Sequence, residues 1–177
     1  QLNVAAIWRG LPVPHLLNHA HTQGHAKAIA KLKVVECTQG PAARLSHAAG
    51  LAWAGRKDGI VALCELGDGA VSDADFHCGV NFAAVLNAPV VYLVRTDGVT
   101  LVSERAEGYG IESAVVDGMD PEKVREVVSA AADRARNGGG PTLVEATVQR
   151  GKKVPLELWT AFEADISAAL ASAERRL

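Results

Sequence analysis

The sequence predicts an α/β protein whose mostly parallel sheet carries helices on both faces. The first observation is a set of four short apolar runs, rich in β-branched residues, which is the composition typical of strands. The second is that helical patterns alternate with these runs. Strands that are apolar along their whole length are typical of a parallel sheet covered on both sides, because neither face of such a sheet meets water.

The predicted elements follow from local signals along the chain. The predicted strands are GIVALCEL (59–66), APVVYLV (88–94), SAVVDG (113–118) and PTLVEATV (141–148). The predicted helices are ARLSHAAGLAWAG (43–55), DADFHCGVNFAAVLN (73–87) and DPEKVREVVSAAADRARNGGG (120–140). The last helix has the clearest boundaries, with Asp120 as its N-cap, Pro121 at its first position and glycines at its end.

The composition fits one globular domain over residues 1–177. Of the 177 residues, 49% are apolar and 21% are charged, a balance that lets a chain of this length bury a core. We predict three parts. They are an N-terminal helical segment (1–36), the α/β core (37–150) and an amphipathic C-terminal helix (155–176) with apolar residues near helical spacing.

Charge and cysteine content argue against several classes of protein. The formal net charge is -2 and both signs are spread along the chain, so the sequence predicts neither a nucleic-acid partner nor a membrane surface. No apolar run approaches the ~20 residues needed to cross a bilayer. Cys37, Cys64 and Cys78 form no CxxC pair, which indicates reduced thiols and hence the cytoplasm.

Two aspartates that follow neighbouring predicted strands make up the candidate site. Asp68 follows the first strand and Asp97 follows the second, with room for one helical crossover between them. Ligands of open parallel sheets bind beyond the carboxyl ends of the strands, and neighbouring strands lie about 4.8 Å apart. Two carboxylates this close repel each other unless a divalent cation such as Mg²⁺ lies between them, and that cation usually carries a phosphate ligand.

The glycines beside Asp68 add to this interpretation, although the Asp-Gly pair has an ordinary explanation as well. Gly67 and Gly69 allow the backbone to approach a ligand closely, and the amides at the start of the next helix suit diphosphate oxygens. Asp-Gly is also a common turn dipeptide. It occurs in this chain at Asp58, Asp68, Asp97 and Asp117. The residues alone therefore leave a metal site and a set of simple turns as alternatives.

The segment GDGAVSDADFHCGVNFAAVLNAPVVYLVRTDG (67–98) resembles the thiamin diphosphate motif of the alpha subunit of 2-oxoacid dehydrogenases. These enzymes are the decarboxylating first components of the pyruvate and branched-chain complexes. The resemblance covers residues 4–150 and includes the flanking segments LSHAAGLAWAGRKDGIVALCELGDG, EGYGIESAVVDGMDPEKV and GPTLVEATVQR. It implies the thiamin-diphosphate-binding fold for this α/β architecture.

The resemblance also implies roles for individual residues. It implies that Mg²⁺ is bound by the side chains of Asp68 and Asp97 and by the backbone carbonyl of Val99, with the diphosphate against this metal. Leu101 matches the apolar residue that helps to hold the cofactor in its bent shape. The cofactor-binding set implied by the resemblance is Gly67, Asp68, Gly69, Ala70, Asp97, Val99 and Leu101.

For the activity, the resemblance implies an alpha-like subunit of a thiamin-diphosphate-dependent dehydrogenase that decarboxylates a 2-oxoacid. In this family the glutamate that drives ionisation of the cofactor comes from the beta subunit. A beta-like chain is therefore the expected partner, in a heterodimer or an α2β2 tetramer, and no catalytic residue is assigned to this chain. A lipoyl acyltransferase core is a further partner that the resemblance suggests.

The match departs from the family pattern at several places. Asp97 stands where the family has asparagine. Gln39 and Pro41 lie in the segment that matches the aminopyrimidine pocket, and VQRGKKVPLELW lacks the family's phosphorylatable loop. Two alternatives therefore stay open. They are a degenerate, non-catalytic partner of a beta-like chain, and an unrelated phosphate-binding α/β module.

The histidines of HLLNHAHTQGH (15–25) form a second candidate site. His15 and His19 lie four residues apart on one face of a predicted helix, and His21 and His25 follow closely, so a Zn²⁺ site is conceivable. The pattern contains neither the acidic residue of an HExxH motif nor cysteine ligands. We therefore expect these histidines to be solvated or to face a partner.

Overall fold

The computed structural model describes residues 9–11, 31–35, 40–99 and 101–149. By its internal contacts the chain divides into two units, one of Cys37–Gly151 and one of Gln1–Glu36 with Lys152–Leu177. The sheet and its helices belong to the unit of Cys37–Gly151. The helical segment predicted over 1–36 and the helix predicted over 155–176 fall almost entirely outside the described residues. These two elements stay predictions, as does the single domain over 1–177.

Parallel strands form one sheet in this unit. They are β1 (Ala62–Gly67), β2 (Val90–Thr96), β3 (Glu112–Asp117) and β4 (Thr142–Thr147). Their order across the sheet is β1-β2-β4-β3, and every neighbouring pair is parallel. Each predicted strand is present within three residues at either end. The predicted α/β fold with a parallel sheet is confirmed.

Helices connect these strands. The described helices are α1 (Ala43–Gly55), α2 (Ala74–Val85), α3 (Arg105–Tyr109) and α4 (Pro121–Arg134). Two of them begin at an aspartate whose side chain accepts backbone N–H groups, Asp73 for α2 and Asp120 for α4. The pKa of the Asp120 carboxyl lies below its usual range, mainly because this carboxylate accepts a hydrogen bond from the backbone N–H of Lys123. None of the described helices has the length and apolar character needed to span a membrane.

The two faces of the sheet carry separate apolar clusters. α1, α2 and α3 cover one face, where they pack on strand residues such as Leu66 and Leu143. α4 covers the other face, where Val127 and Ala131 pack with Val144. The prediction that helices cover both faces is confirmed, and it explains why the strands are apolar along their length.

A close contact between α1 and α2 fixes the position of the helix that begins beside the candidate site. Gly79 of α2 lies so near α1 that a Cβ atom at this position would overlap the side chain of Leu45. The buried hydroxyl of Tyr92 donates to the carbonyl oxygens of Leu45 and Gly79, at 3.3 and 3.2 Å. Burial raises the pKa of this hydroxyl, which therefore stays a donor. The contact makes α1 and α2 a fixed support for the carboxyl edge of β1.

Candidate functional site

Asp68 lies at the carboxyl end of β1. The strand ends immediately before it, and the chain turns at once into a short 3-10 helix, Asp68–Ser72. Ala70 and Val71 are buried and anchor this turn in the apolar core, whereas Asp68 is half-buried. The turn therefore holds a carboxylate at the edge of the sheet on a fixed backbone.

Asp97 follows β2 in the corresponding place. Its Oδ1 accepts a hydrogen bond from the backbone N–H of Val99 at 3.2 Å, and Oγ1 of Thr96 accepts one from Gly98 at 3.0 Å. These two bonds shape the start of the loop. The side chains of Val99 and Leu101 are 84% and 54% exposed. The loop after β2 thus presents a carboxylate together with two exposed apolar side chains.

The sheet brings both aspartates to the same edge. β1 and β2 are direct neighbours and run parallel, with Gly67 opposite Arg95. Asp68 and Asp97 consequently follow their strands at the same end of the sheet, on adjacent strands. The predicted shared site requires this topology, because carboxylates at the ends of adjacent strands can converge on one cation. That they do share a cation stays a prediction.

The glycines on either side of Asp68 are not required by the turn itself. Gly67 has an ordinary extended backbone, with φ -95° and ψ 161°, and Gly69 is not among the glycines with positive φ. No heavy atom of the described residues lies within 4 Å of a Cβ atom built at either glycine. The space beside both glycines is open, as a ligand that approaches the backbone closely would need.

The other Asp-Gly pairs have a local explanation for their glycine. Gly59 and Gly98 have φ values of 69° and 86°, a region that favours glycine. The carboxylate of Asp117 accepts a backbone N–H two residues further on, and a Cβ atom at Gly118 would collide with the end of β4. Turn geometry or packing accounts for the glycine at these three places. It does not account for the glycine after Asp68.

The donors at this edge fit a metal that arrives with a phosphate ligand. Among the residues that the structure describes, no three His, Cys, Asp or Glu side chains are grouped closely enough to hold a metal ion. Mg²⁺ takes about six oxygen ligands at about 2.1 Å. Asp68 and Asp97 can supply two, the carbonyl of Val99 a third, and the rest would have to come from phosphate and water. The described part of the chain therefore offers no complete metal cage by itself.

Contacts of α3 join the loop after Asp97 to the turn after Asp68. They were not predicted from the sequence. Nη1 of Arg105 donates to the carbonyl of Val71 at 3.4 Å, and the hydroxyl of Tyr109 lies 3.1 Å from Nδ1 of His77. The Tyr109 ring also meets Phe76 edge-on, at 6.5 Å between centroids. α3 follows the Asp97 loop, so these contacts connect that loop to the turn and helix after Asp68. Tyr109 lies in the flanking segment EGYGIESAVVDGMDPEKV, but the sequence gives no signal of its partners.

None of the histidines of the predicted zinc site lies within the described residues. His47, which was not one of these candidates, lies in the described core and donates from Nδ1 to the carbonyl oxygen of Ala43 within α1, at 2.9 Å. The zinc alternative concerns residues outside the described ranges. Its four histidines are His15, His19, His21 and His25. That alternative stays a prediction.

The family model and the similar known proteins agree on one family. Residues 14–153 match the family model described as "Dehydrogenase E1 component". The chain is 36% identical over 134 residues to the 2-oxoisovalerate dehydrogenase subunit alpha of Bacillus subtilis (strain 168), covering 68% of this chain and 41% of that protein. It is 32% identical over 165 residues to the pyruvate dehydrogenase E1 component subunit alpha of Staphylococcus aureus (strain Mu50), covering 81% of this chain and 43% of that protein. The chain thus spans about two fifths of the length of these curated relatives.

A solved structure shows that the same fold occurs at low sequence identity. The transketolase of Campylobacter jejuni superposes with a TM-score of 0.54 at 20% identity, covering 67% of this chain and 22% of that one. At this identity the likeness concerns the fold alone. It agrees with the predicted thiamin-diphosphate-binding fold, a parallel sheet with helices on both faces.

Proposed function

Because the chain belongs to the dehydrogenase E1 component family, we propose that it acts as the alpha-like subunit of a thiamin-diphosphate-dependent 2-oxoacid dehydrogenase in the cytoplasm. Thiamin diphosphate and Mg²⁺ then bind at the carboxyl edge of β1 and β2. Family membership agrees with the resemblance of residues 4–150 and excludes the alternative of an unrelated phosphate-binding module. The activity, substrate and partners of the whole protein remain part of the proposal.

The observation that carries the proposal is the open space beside Asp68. Gly67 and Gly69 flank a half-buried carboxylate, yet neither backbone strain nor packing within the described residues requires a glycine there. Gly108 has similar open space, but Gly67 and Gly69 flank a carboxylate at the carboxyl edge of the sheet, where close approach of a ligand to the backbone would favour glycine. Buried Ala70 holds the turn in position, so the diphosphate would meet a preformed surface.

The metal would join the two loops. In the proposed site, Asp68 and Asp97 would each offer a carboxylate oxygen to Mg²⁺, and Val99 would offer its backbone carbonyl. The hydrogen bond from the N–H of Val99 to Oδ1 of Asp97 fixes the peptide unit just before the Val99 carbonyl relative to the carboxylate, and both oxygen donors lie on this one loop. The exposed side chain of Leu101 would support the cofactor from the same loop.

The chemistry divides between this chain and its partner. When bound, thiamin diphosphate supplies the carbon nucleophile that attacks the carbonyl carbon of a 2-oxoacid. This chain binds and orients the diphosphate end of the cofactor, and its metal ligands offset the negative charge of the phosphates. We assign no proton transfer to it. Proton transfer on the cofactor is the proposed task of the beta-like chain.

Exposed apolar side chains at the site support a second chain. Val99 and Leu101 leave apolar surface in water at the edge where the cofactor would lie, and such surface becomes favourable to bury when a ligand and a partner cover it. We therefore place the beta-like chain against this edge, in a heterodimer or an α2β2 assembly. The lipoyl acyltransferase core stays a prediction.

Assembly gives a direct test of this placement. The chain expressed together with a beta-like chain from the same source should elute as one complex, whereas each chain expressed separately serves as the control. Light scattering on the eluted peak would give the mass. A stable monomer in the presence of the beta-like chain would contradict the alpha-subunit role.

Asp97→Asn is expected to preserve or improve cofactor binding. The amide keeps an oxygen ligand for the metal and removes one negative charge beside the diphosphate, so we expect affinity to rise by up to about tenfold, or about 1.4 kcal/mol. Asp97→Ala is the matched variant, since it removes the oxygen as well, and should weaken binding. Calorimetry on both complexes checks the prediction. Binding by Asp97→Asn as weak as that by Asp97→Ala would show that the second negative charge is itself required.

One observation favours a second candidate function. The extra charge of Asp97 beside the proposed diphosphate site suits a degenerate, non-catalytic subunit that keeps the fold in order to assemble with a beta-like chain. Such a subunit would form the complex but bind no thiamin diphosphate. Assembly without binding would therefore separate this candidate from the first.

A further inference from the structure

Glu145 is a buried carboxylate in the middle of the sheet. It lies in β4, whose other residues are apolar or small, and its side chain is only 2% exposed. Alternation along the strand puts it on the same face as Leu143, the face covered by α1, α2 and α3. Burying a carboxylate is costly unless hydrogen bonds compensate it. The apolar pattern of β4 predicted a uniformly apolar strand, in which Glu145 had no predicted role.

The carboxylate of Glu145 holds the end of the loop that carries the proposed cofactor residues. Its Oε2 accepts a hydrogen bond of 2.7 Å from the backbone N–H of Ser103, a short bond of the kind formed with charged acceptors. Ser103 follows the fully buried Val102. The carbonyls of these two residues then accept the N–H groups of Arg105 and Ala106 at the start of α3.

β4 also fixes the beginning of the same loop. The backbone N–H of Val148, just after β4, donates to the carbonyl of Thr96 at 2.8 Å. The loop that begins at Asp97 is therefore attached to β4 at one end through Val148 and at the other through Glu145. Between these attachments lie the exposed residues Val99 and Leu101.

We propose that Glu145 is a positioning residue that fixes Asp97, Val99 and Leu101 for the metal and the diphosphate. This inference rests on the proposed function, since it concerns the same site. Glu145 does not touch the cofactor. It acts through Ser103 and Val102, and so sets where the Val99 carbonyl and the Leu101 side chain lie relative to Asp68.

The test separates the hydrogen bond from the packing of the side chain. Glu145→Met keeps a side chain of similar volume but removes the acceptor for the N–H of Ser103. The variant should still fold, because replacing a buried charged group by an apolar one is often neutral or stabilising. Glu145→Gln keeps an oxygen that can accept the N–H of Ser103. Thr142→Val is the matched control, because it removes a buried hydrogen-bond acceptor from the same strand, the one for Nη1 of Arg134, at the end of β4 away from the site.

Two measurements are made on the complex with the beta-like chain. Calorimetry with thiamin diphosphate and Mg²⁺ should show Glu145→Met at least about tenfold weaker than wild type, a loss typical of removing a residue that orients metal ligands. Glu145→Gln and Thr142→Val should stay within about threefold of wild type. Hydrogen exchange resolved to single amides, without cofactor, should show faster exchange at Ser103 in Glu145→Met only.

The outcomes distinguish this inference from the proposed function. If wild type binds the cofactor and Glu145→Met binds equally well or keeps the Ser103 amide protected, the inference is overturned and the proposed function stands. If wild type binds no cofactor, the proposed function fails and the inference fails with it. Should Glu145→Met not assemble, the wild-type complex decides. A Ser103 amide that exchanges at the rate of an unstructured peptide would overturn the inference, and a protected one would support it.

Discussion

Asp68→Ala should abolish the binding of thiamin diphosphate with Mg²⁺ to the assembled complex. The described part of the chain offers no cluster of three metal-ligating side chains, so the metal would depend on Asp68, Asp97 and oxygens that do not come from side chains. Removing one of two anchoring carboxylates should weaken binding by about a hundredfold or more, at the upper end of the losses typical for metal sites. Calorimetry on the complex would measure the loss.

Asp117→Ala is the matched control for this variant. Asp117 also precedes a glycine and ends a strand at the same edge of the sheet, but β4 separates β3 from β2, and its carboxylate closes a local turn. We expect this variant to bind the cofactor like wild type. Equal binding by wild type and Asp68→Ala, at equal thermal stability, would contradict the proposed metal site.

Gly69→Val should weaken cofactor binding and leave the fold intact. No described heavy atom lies within 4 Å of a Cβ atom at Gly69, and its φ is not positive, so a valine can be built without collision within the described residues. Its branched side chain would occupy the space proposed for the diphosphate. We expect binding to weaken by at least about tenfold because the phosphate could no longer approach the backbone.

Gly108→Val provides the control for Gly69→Val. Gly108 is also exposed, has open space around its Cβ position and lacks a positive φ, but it lies on α3. Thermal melting of both variants reports stability and calorimetry reports binding. A Gly69→Val complex that binds like wild type would show that the open space is not the cofactor site. A large loss of stability in Gly69→Val alone would show that the glycine is structural.

The fold could be predicted because its signals are local and agree with one another. The strands are apolar throughout, and α4 has its cap at Asp120 and a proline at its first position. The hydrophobic period, the segment lengths and the boundary residues therefore all indicate the same elements. α3 was missed because five residues are too few to show a helical period. Its position depends instead on Arg105 and on the partners of Tyr109 and Ser103.

Only the part of the site that lies at the ends of the strands could be predicted from the sequence. The adjacency of Asp68 and Asp97 follows from parallel pairing of consecutive strands. What distinguishes the Asp68–Gly69 pair from the other Asp-Gly pairs is backbone conformation and free space, and neither is visible in a sequence. Glu145 was missed for a related reason, since a glutamate in a strand shows its burial only once the loop that covers it is placed.

Calorimetric titration of thiamin diphosphate and Mg²⁺ into the wild-type complex with its beta-like chain tests the central claim most directly. The proposed function predicts a saturable heat at one cofactor per alpha-like chain, which disappears when Mg²⁺ is removed with a chelator. An assembled complex that gives no heat of binding, for wild type and for Asp97→Asn alike, would contradict the account and leave a subunit that serves assembly alone.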